Sequence, residues 1–111
     1  MGGAGGVGAS TAFNLLTSGR PCDVVLVDPR AEMVESHVMD LEQTLEWCPG
    51  SSVRGGGEDD VADADVLVVS AAVPLSLNTS RHVYLADNAR ILDRVADGIP
   101  DRWPGVAIVV T

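Results

Sequence analysis

Seven residues near the start of the chain have the composition and spacing of a phosphate-binding loop. Glycines at positions 3, 5 and 8 fit the pattern G-x-G-x-x-G, and the glycine at position 2 gives a related variant. Such a loop needs glycine because the chain turns tightly, the backbone approaches a pyrophosphate, and the next helix packs closely on a sheet. The start of that helix offers free N–H groups and a partial positive charge to phosphate oxygens. The candidate residues are Gly2, Gly3, Ala4, Gly5, Gly6, Val7 and Gly8.

An acidic residue stands where such a loop has its partner. Asp28 lies 20 residues after Gly8, at the end of a predicted strand. A carboxylate at this place accepts hydrogen bonds from the hydroxyls of an adenosine ribose. Because the same charge repels a 2′-phosphate, the loop and Asp28 together predict NAD, rather than NADP, as the cofactor. The alternative is a flexible glycine-rich start followed by an ordinary Asp-Pro turn at the strand end.

A third candidate segment follows another predicted strand. Ser70, Ala71 and Ala72 come directly after the run Val66–Val69. Ligands of parallel sheets bind at the carboxyl ends of the strands, and small residues there let a cofactor lie against the backbone. A plain turn built from small residues explains the same three positions equally well.

The elements that would position these residues alternate between strand and helix. Continuous apolar runs, without the alternation of a one-sided strand, predict strands buried on both faces. Segments with helical periodicity separate these runs. The predicted strands are Val24–Val27, Val53–Arg54, Val66–Val69 and Val106–Val110, and the predicted helices are Ala9–Ser18, Ala31–Gln43 and Arg81–Ala96. This order predicts a Rossmann-like α/β fold with a doubly wound parallel sheet.

The predicted sheet is incomplete. In doubly wound folds the glycine loop follows a strand, whereas only Met1 precedes it here. The missing strand would be the central one, so Val24–Val27 and Val66–Val69 would lose a shared neighbour. The chain also stops at Thr111, directly on a strand end. We expect residues 1–111 to form a partial NAD-binding domain, cut from a larger protein.

Composition and charge restrict the class of protein. Hydrophobic residues make up 46% of the chain, which is typical of a globular domain. Seven basic and 16 acidic residues give a net charge of −9, which disfavours nucleic acid and anionic membranes as partners. The apolar runs are too short to span a membrane. The two cysteines form no disulfide framework or metal-binding pattern, so we expect no metal site and a reduced, cytoplasmic protein.

Several short motifs, in order along nearly the whole chain, resemble the amino-terminal NAD-binding region of the lactate/malate dehydrogenase family. Arg81 lies seven residues after Pro74 and seven before Asn88, which is similar to the spacing around the mobile loop of that family. The matching residues are Gly2–Gly8, Asp28, Met39-Asp40-Leu41, Ala64-Asp65-Val66, Ser70-Ala71-Ala72-Val73-Pro74, Arg81, Leu85, Asn88, Ile91 and Val109-Val110-Thr111.

The resemblance implies a role for each matching site residue. Gly2–Gly8 would hold the pyrophosphate of NAD and Asp28 the adenosine ribose. The resemblance also implies that Arg81 polarises the carbonyl of the substrate, because a guanidinium stabilises the oxygen that becomes negative during hydride transfer. The other implied cofactor contacts are Ser70, Ala71, Ala72, Asn88, Val110 and Thr111.

Three departures from the family pattern bear on the substrate and the activity. Leu75 occupies the position that selects the substrate, and it cannot pair with a second carboxylate, so we expect a monocarboxylic 2-hydroxy or 2-keto acid. The loop 76–80 lacks the usual Lys-Pro-Gly stretch. The catalytic His–Asp pair of the family corresponds to positions beyond Thr111, which leaves the activity of the chain itself undecided.

Taken together, the sequence predicts the NAD-binding portion of an NAD-dependent 2-hydroxy acid dehydrogenase. The whole enzyme would transfer a hydride between the nicotinamide and C2 of a small-molecule substrate. The resemblance implies that it is a homo-oligomer. Two alternatives stay open, namely a stand-alone, non-catalytic dinucleotide-binding module and an inactive truncated product.

Overall fold

The computed structural model describes residues 1–74 and 81–110, with the side chains of the last helix described from residue 84 onward. Strands and helices alternate along these residues, and two short 3₁₀ helices lie between them. The strands are β1 (Asp23–Leu26), β2 (Ser52–Gly55), β3 (Val66–Val69) and β4 (Val106–Val109). The α-helices are α1 (Gly6–Leu16), α2 (Ala31–Glu42) and α3 (Arg81–Asp97). The 3₁₀ helices are Gln43–Trp47 and Glu58–Asp63.

The order of the predicted elements is confirmed, while their ends differ by a few residues. The helix α1 begins at Gly6, three residues before the predicted start, and includes two glycines of the loop. Glycine has a poor intrinsic helix propensity, which is why the sequence pattern places the start later. Here packing of the loop against the strand ends overrides that propensity. The last predicted residue of α2, Gln43, instead opens a 3₁₀ helix.

The four strands form two parallel pairs. In the first pair Val24 of β1 lies opposite Val53 of β2. In the second pair Leu67 of β3 lies opposite Ala107 of β4. All connections between paired strands contain a helix, as parallel pairing requires.

The first three residues lie between the two strand pairs and bond to both. The amino group of Met1 donates to the carbonyl oxygen of Val68 at 2.7 Å, and the N–H of Ser70 donates to the carbonyl oxygen of Met1 at 2.9 Å. On the other side, the N–H of Gly3 donates to the carbonyl oxygen of Val27 at 3.0 Å. This segment therefore occupies the central position at the carboxyl ends of β1 and β3. The resulting order is β2, β1, residues 1–3, β3 and β4. It is the order of a Rossmann-like sheet with an incomplete centre.

Two hydrophobic clusters hold the elements together. The first cluster packs α1 and α2 on β1 and β2, and Leu16 is its most deeply buried side chain, at 1% exposure. The second cluster lies between β3 and α3. The buried residues of the first are Ala4, Ala12, Leu16, Leu26, Val34, Leu41, Cys48 and Val53, and those of the second are Val61, Leu67 and Val69.

The prediction that every long apolar strand is buried on both faces holds only in part for β1 and β3, where Leu26, Leu67 and Val69 are buried, and it is wrong for β4. Each of its four residues is exposed, with 60% of Val106 and 48% of Ile108 accessible. The reason is that β4 pairs with β3 along one edge, and the elements in residues 1–74 and 81–110 leave both of its faces open.

Candidate dinucleotide-binding site

The glycine loop lies in backbone contact with the carboxyl end of β3. Gly2 has a φ of +79°, which disfavours any residue with a side chain, and a Cβ at this position would lie 2.5 Å from the backbone nitrogen of Ala71. A Cβ on Gly8 would collide with the carbonyl oxygen of Gly2. Two of the predicted loop glycines are therefore required by close approaches, one to the strand end and one between α1 and the loop.

The amino-terminal end of α1 is open to solvent. Its first intrahelical hydrogen bond runs from the N–H of Ala9 to the carbonyl oxygen of Gly5 at 2.9 Å. No described side chain caps this end, and its first turn contains no acidic residue. The first N–H groups of the helix therefore have no intrahelical acceptor, and Gly6 and Val7 are exposed. This arrangement can accept an anion.

Asp28 points its carboxylate at the glycine loop. The N–H of Ala4 donates to Oδ2 of Asp28 at 3.2 Å, and the side chain of Asp28 is only 4% exposed. Arg30 covers the same carboxylate, with Nε at 2.9 Å from Oδ1 and Nη2 at 3.1 Å from Oδ2. The hydrogen bonds from the side chain of Arg30 hold the pKa of Asp28 below its ordinary value near 3.8, although burial opposes the shift. Asp28 is consequently ionised at neutral pH.

The residues after β3 join the loop at the same edge of the sheet. The hydroxyl of Ser70 lies 3.3 Å from the carbonyl oxygens of both Met1 and Gly2, so it ties the loop to the strand end. Ala71 packs against the second cluster, and Ala72 is exposed. Val110 reaches this edge as well, since its N–H donates to the carbonyl oxygen of Val69 at 2.8 Å.

Asn88 connects α3 with this edge. Its Oδ1 accepts a hydrogen bond from the N–H of Val73 at 2.9 Å, and the residue is half-buried. The bond holds the segment after β3 in place. The structure thus brings Asn88 to the predicted site through a backbone contact with Val73.

Three predicted site residues lie wholly or partly outside the part of the chain that the structure describes. Leu75 and Thr111 lie outside the described residues. Arg81 begins α3, and its side chain also lies outside them. Arg30 directly contacts the predicted ribose-binding carboxylate, although it is not among the residues predicted from the sequence. Its position two residues after Asp28 was visible in the sequence, but the direction of its side chain was not.

The residues present fit the parts of a dinucleotide. The glycine loop lies next to an uncapped helix start, which suits a pyrophosphate. An ionised, nearly buried carboxylate faces the same loop, which suits the hydroxyls of a ribose. Within residues 1–74 and 81–110, no helix is long and apolar enough to cross a membrane.

Comparison with known proteins agrees with this geometry. Residues 1–111 match the family model described as lactate/malate dehydrogenase, NAD binding domain. The chain belongs to the lactate/malate dehydrogenase family. The predicted fold, an incomplete Rossmann-like domain, and the predicted cofactor, NAD, are confirmed by this membership.

Curated proteins similar to this chain include L-lactate dehydrogenases. One from Mycoplasmopsis pulmonis is 32% identical over 96 residues, which cover 85% of this chain and 30% of the relative. One from Treponema denticola is 31% identical over 110 residues, covering 98% of this chain and 35% of the relative. The chain therefore spans about a third of the length of the curated relatives it matches.

Solved structures of the family have the same fold. The lactate dehydrogenase of Cryptosporidium parvum, complexed with lactic acid and NAD, superposes with a TM-score of 0.84 at 27% identity. It covers 98% of this chain, which corresponds to 35% of that protein. A lactate dehydrogenase from a Medee basin deep-sea metagenome library gives a TM-score of 0.83 at 30% identity, covering 96% of this chain and 34% of its own.

Proposed function

We propose that this chain binds NAD and provides the cofactor half of an NAD-dependent 2-hydroxy acid dehydrogenase. The observation that carries the proposal is the contact between the N–H of Ala4 and the carboxylate of Asp28. It joins a phosphate-binding loop to a ribose-binding group in one site. The L-lactate dehydrogenases to which the chain is similar support the assignment of the reaction class.

Each part of the cofactor has a candidate partner. The open start of α1, from Gly6 onward, takes the pyrophosphate, because its free N–H groups and helix dipole favour negative charge. Asp28 accepts hydrogen bonds from the adenosine ribose. Ala71 and Ala72 flank the cofactor at the end of β3, with Asn88 holding the segment that follows. Val110 and Thr111 border the nicotinamide side.

NAD supplies the hydride chemistry, and this chain supplies two residues toward the substrate. Arg81 stabilises the carbonyl oxygen as it becomes negative. Leu75 stands at the sequence position that selects the substrate in the family and offers no cation to a second carboxylate, so the substrate is a monocarboxylic 2-keto or 2-hydroxy acid. Faster turnover of oxaloacetate than of a 2-keto monocarboxylate by the whole protein would contradict this assignment.

Activity requires residues that this chain does not contain. In the family, the His–Asp pair that relays the proton corresponds to positions after Thr111. The 111-residue chain is therefore expected to bind the cofactor without turnover. The whole protein acts on a small molecule, and we propose that it is a homo-oligomer located in the cytoplasm.

Titration of the chain with NADH by calorimetry tests the proposal. We expect binding, and we expect Asp28→Asn to weaken it by roughly tenfold or more. The neutral amide lacks the negative charge that strengthens hydrogen bonds from the ribose hydroxyls. Asp59→Asn is the matched control. It removes the same charge, and Asp59 is an exposed residue of the second 3₁₀ helix. Absence of NADH binding by the unaltered chain, or equal affinities of both variants, contradicts the proposal.

A further inference from the structure

The carboxylate of Asp28 is saturated with hydrogen bonds. Oδ1 accepts from the backbone N–H of Arg30 at 3.1 Å and from its Nε at 2.9 Å. Oδ2 accepts from the N–H of Ala4 at 3.2 Å and from Nη2 of Arg30 at 3.1 Å. An ionised carboxylate offers about four acceptor positions, so none is left for a ribose hydroxyl. Binding of a ribose therefore requires that one of these donors leave.

The side chain of Arg30 is the donor that can leave. The two backbone donors are fixed, because Ala4 belongs to the glycine loop and Arg30 caps the start of α2. The side chain of Arg30, in contrast, is 53% exposed, so water can solvate its guanidinium once it leaves the carboxylate of Asp28. A groove lined by Asp28, Ala31, Glu35 and Gly55–Gly56 opens beside the carboxylate and gives the displaced group room.

We propose that Arg30 sets the discrimination between NAD and NADP at this site. In the free protein its guanidinium occupies the ribose-binding positions of Asp28, and a bound ribose displaces it. The displaced guanidinium stays next to the 2′ position, where it pairs with a phosphate if the cofactor carries one. The inference rests on the proposed function, because it concerns the same cofactor site.

The charge balance explains the expected effect on each cofactor. Asp28 alone presents a full negative charge, which repels a 2′-phosphate. Asp28 with Arg30 presents a neutral pair, and the planar fork of a guanidinium matches the oxygens of a phosphate. Arg30 therefore competes with NAD for the carboxylate and attracts NADP. The wild-type chain should therefore discriminate against NADP less strongly than a chain in which Asp28 has no arginine beside it.

Calorimetric titration of the Arg30→Met variant with NADH and with NADPH tests this directly. Methionine keeps an unbranched apolar stem and loses the guanidinium. We expect NADH to bind roughly two- to fivefold more tightly, because the competitor for Asp28 is gone. We expect NADPH to bind about tenfold more weakly, because the partner of its 2′-phosphate is gone. The ratio of the two dissociation constants should therefore rise by more than tenfold.

Two further variants separate this mechanism from a general effect of charge. Arg20→Met removes the same charge from the turn between α1 and β1 and should leave the ratio unchanged. Arg20 precedes β1, whereas Arg30 follows it. Arg30→Lys keeps the charge without the planar fork and should give an intermediate ratio. If Arg30→Met changes the ratio no more than Arg20→Met, or weakens both cofactors equally, the inference is wrong while NAD binding stands. If the wild-type chain binds neither cofactor, the proposed function fails and the inference with it.

Discussion

Gly2 and Gly8 show why single residues decide the geometry of this site. The glycine at position 2 has a left-handed backbone and lies against the nitrogen of Ala71, while Gly8 lies against the carbonyl oxygen of Gly2. Both neighbours are backbone atoms, which cannot rotate away as the end of a side chain could. Gly6, in contrast, has open space around the position of a Cβ. The fold therefore requires glycine at positions 2 and 8, while Gly6 leaves open space at the start of α1.

Replacement of Gly8 by alanine should damage both folding and cofactor binding. Its Cβ collides with the carbonyl oxygen of Gly2, so we expect α1 to shift from the loop and the free energy of unfolding to fall by about 1–3 kcal/mol. Gly57→Ala is the control, because its Cβ meets no atom within 4 Å and Gly57 is an exposed residue outside the glycine loop. Urea unfolding and NADH titration measure both effects, and equal behaviour of the two variants would show that the close approach is unimportant.

The contrast between Asp28 and Arg30 shows what residue spacing can predict. The distance of Asp28 from the loop along the chain indicated a ribose-binding carboxylate, and the structure places it on the N–H of Ala4. The spacing of Arg30 carried no comparable pattern. Its contact depends on the conformation of a long side chain, which no local sequence signal determines.

At the scale of elements, α3 contributes more to the site than its surface position suggests. Its Asn88 accepts a hydrogen bond from Val73, so the helix holds the segment that follows β3. Further along the same helix, Leu92 and Val95 pack against the cluster that contains Leu67. The helix thus couples the packing of β3 to the position of the residues at its carboxyl end.

Removal of the amide of Asn88 should loosen this coupling. In Asn88→Ala the N–H of Val73 loses its acceptor, so we expect a loss of about 1 kcal/mol in the free energy of unfolding and weaker NADH binding. Asn14→Ala serves for comparison, since its side-chain amide donates to the carbonyl oxygen of Ser10 on the exposed face of α1. Should both variants unfold at the same urea concentration and bind NADH alike, the bond to Val73 does not position the segment.

Element order was predictable from hydrophobic periodicity, whereas element environment was not. The run Val66–Val69 forms a strand with the predicted bounds, because β-branched residues favour an extended backbone. The equally apolar β4 forms a strand too, yet all of its residues are exposed. Periodicity reports what a strand could bury and cannot report whether another element covers it.

At the scale of the whole molecule, two hydrophobic clusters share few connections. One contains α1, α2, β1 and β2, and the other contains β3 and α3. Met1 and Gly3 bond to the second and the first strand pair respectively, and Ser70 bonds back to Met1. The candidate cofactor site lies on this junction, because Asp28 belongs to one side and Ala71 to the other. A bound cofactor would therefore contact both halves.

Cofactor binding should protect both halves together. At a free NADH concentration 100 times the dissociation constant, we expect about 2.7 kcal/mol of added stability. Hydrogen exchange should slow at Val25 of β1 and at Val68 of β3 alike, since opening of either half releases the cofactor. The Asp28→Asn variant at the same NADH concentration provides the control. Protection confined to one strand pair would mean that the cofactor does not bridge the halves.

The sequence by itself determined the order of strands and helices, the glycine loop and the carboxylate proposed to bind the ribose. These are local properties, because periodicity, turn residues and spacing along the chain encode them. Only the tertiary structure decided which strands pair, that Met1 and Gly3 bridge the two pairs, and that Arg30 covers Asp28. Those contacts join groups brought together by packing or by a side-chain rotamer, and neither has a signature in the spacing of residues along the chain.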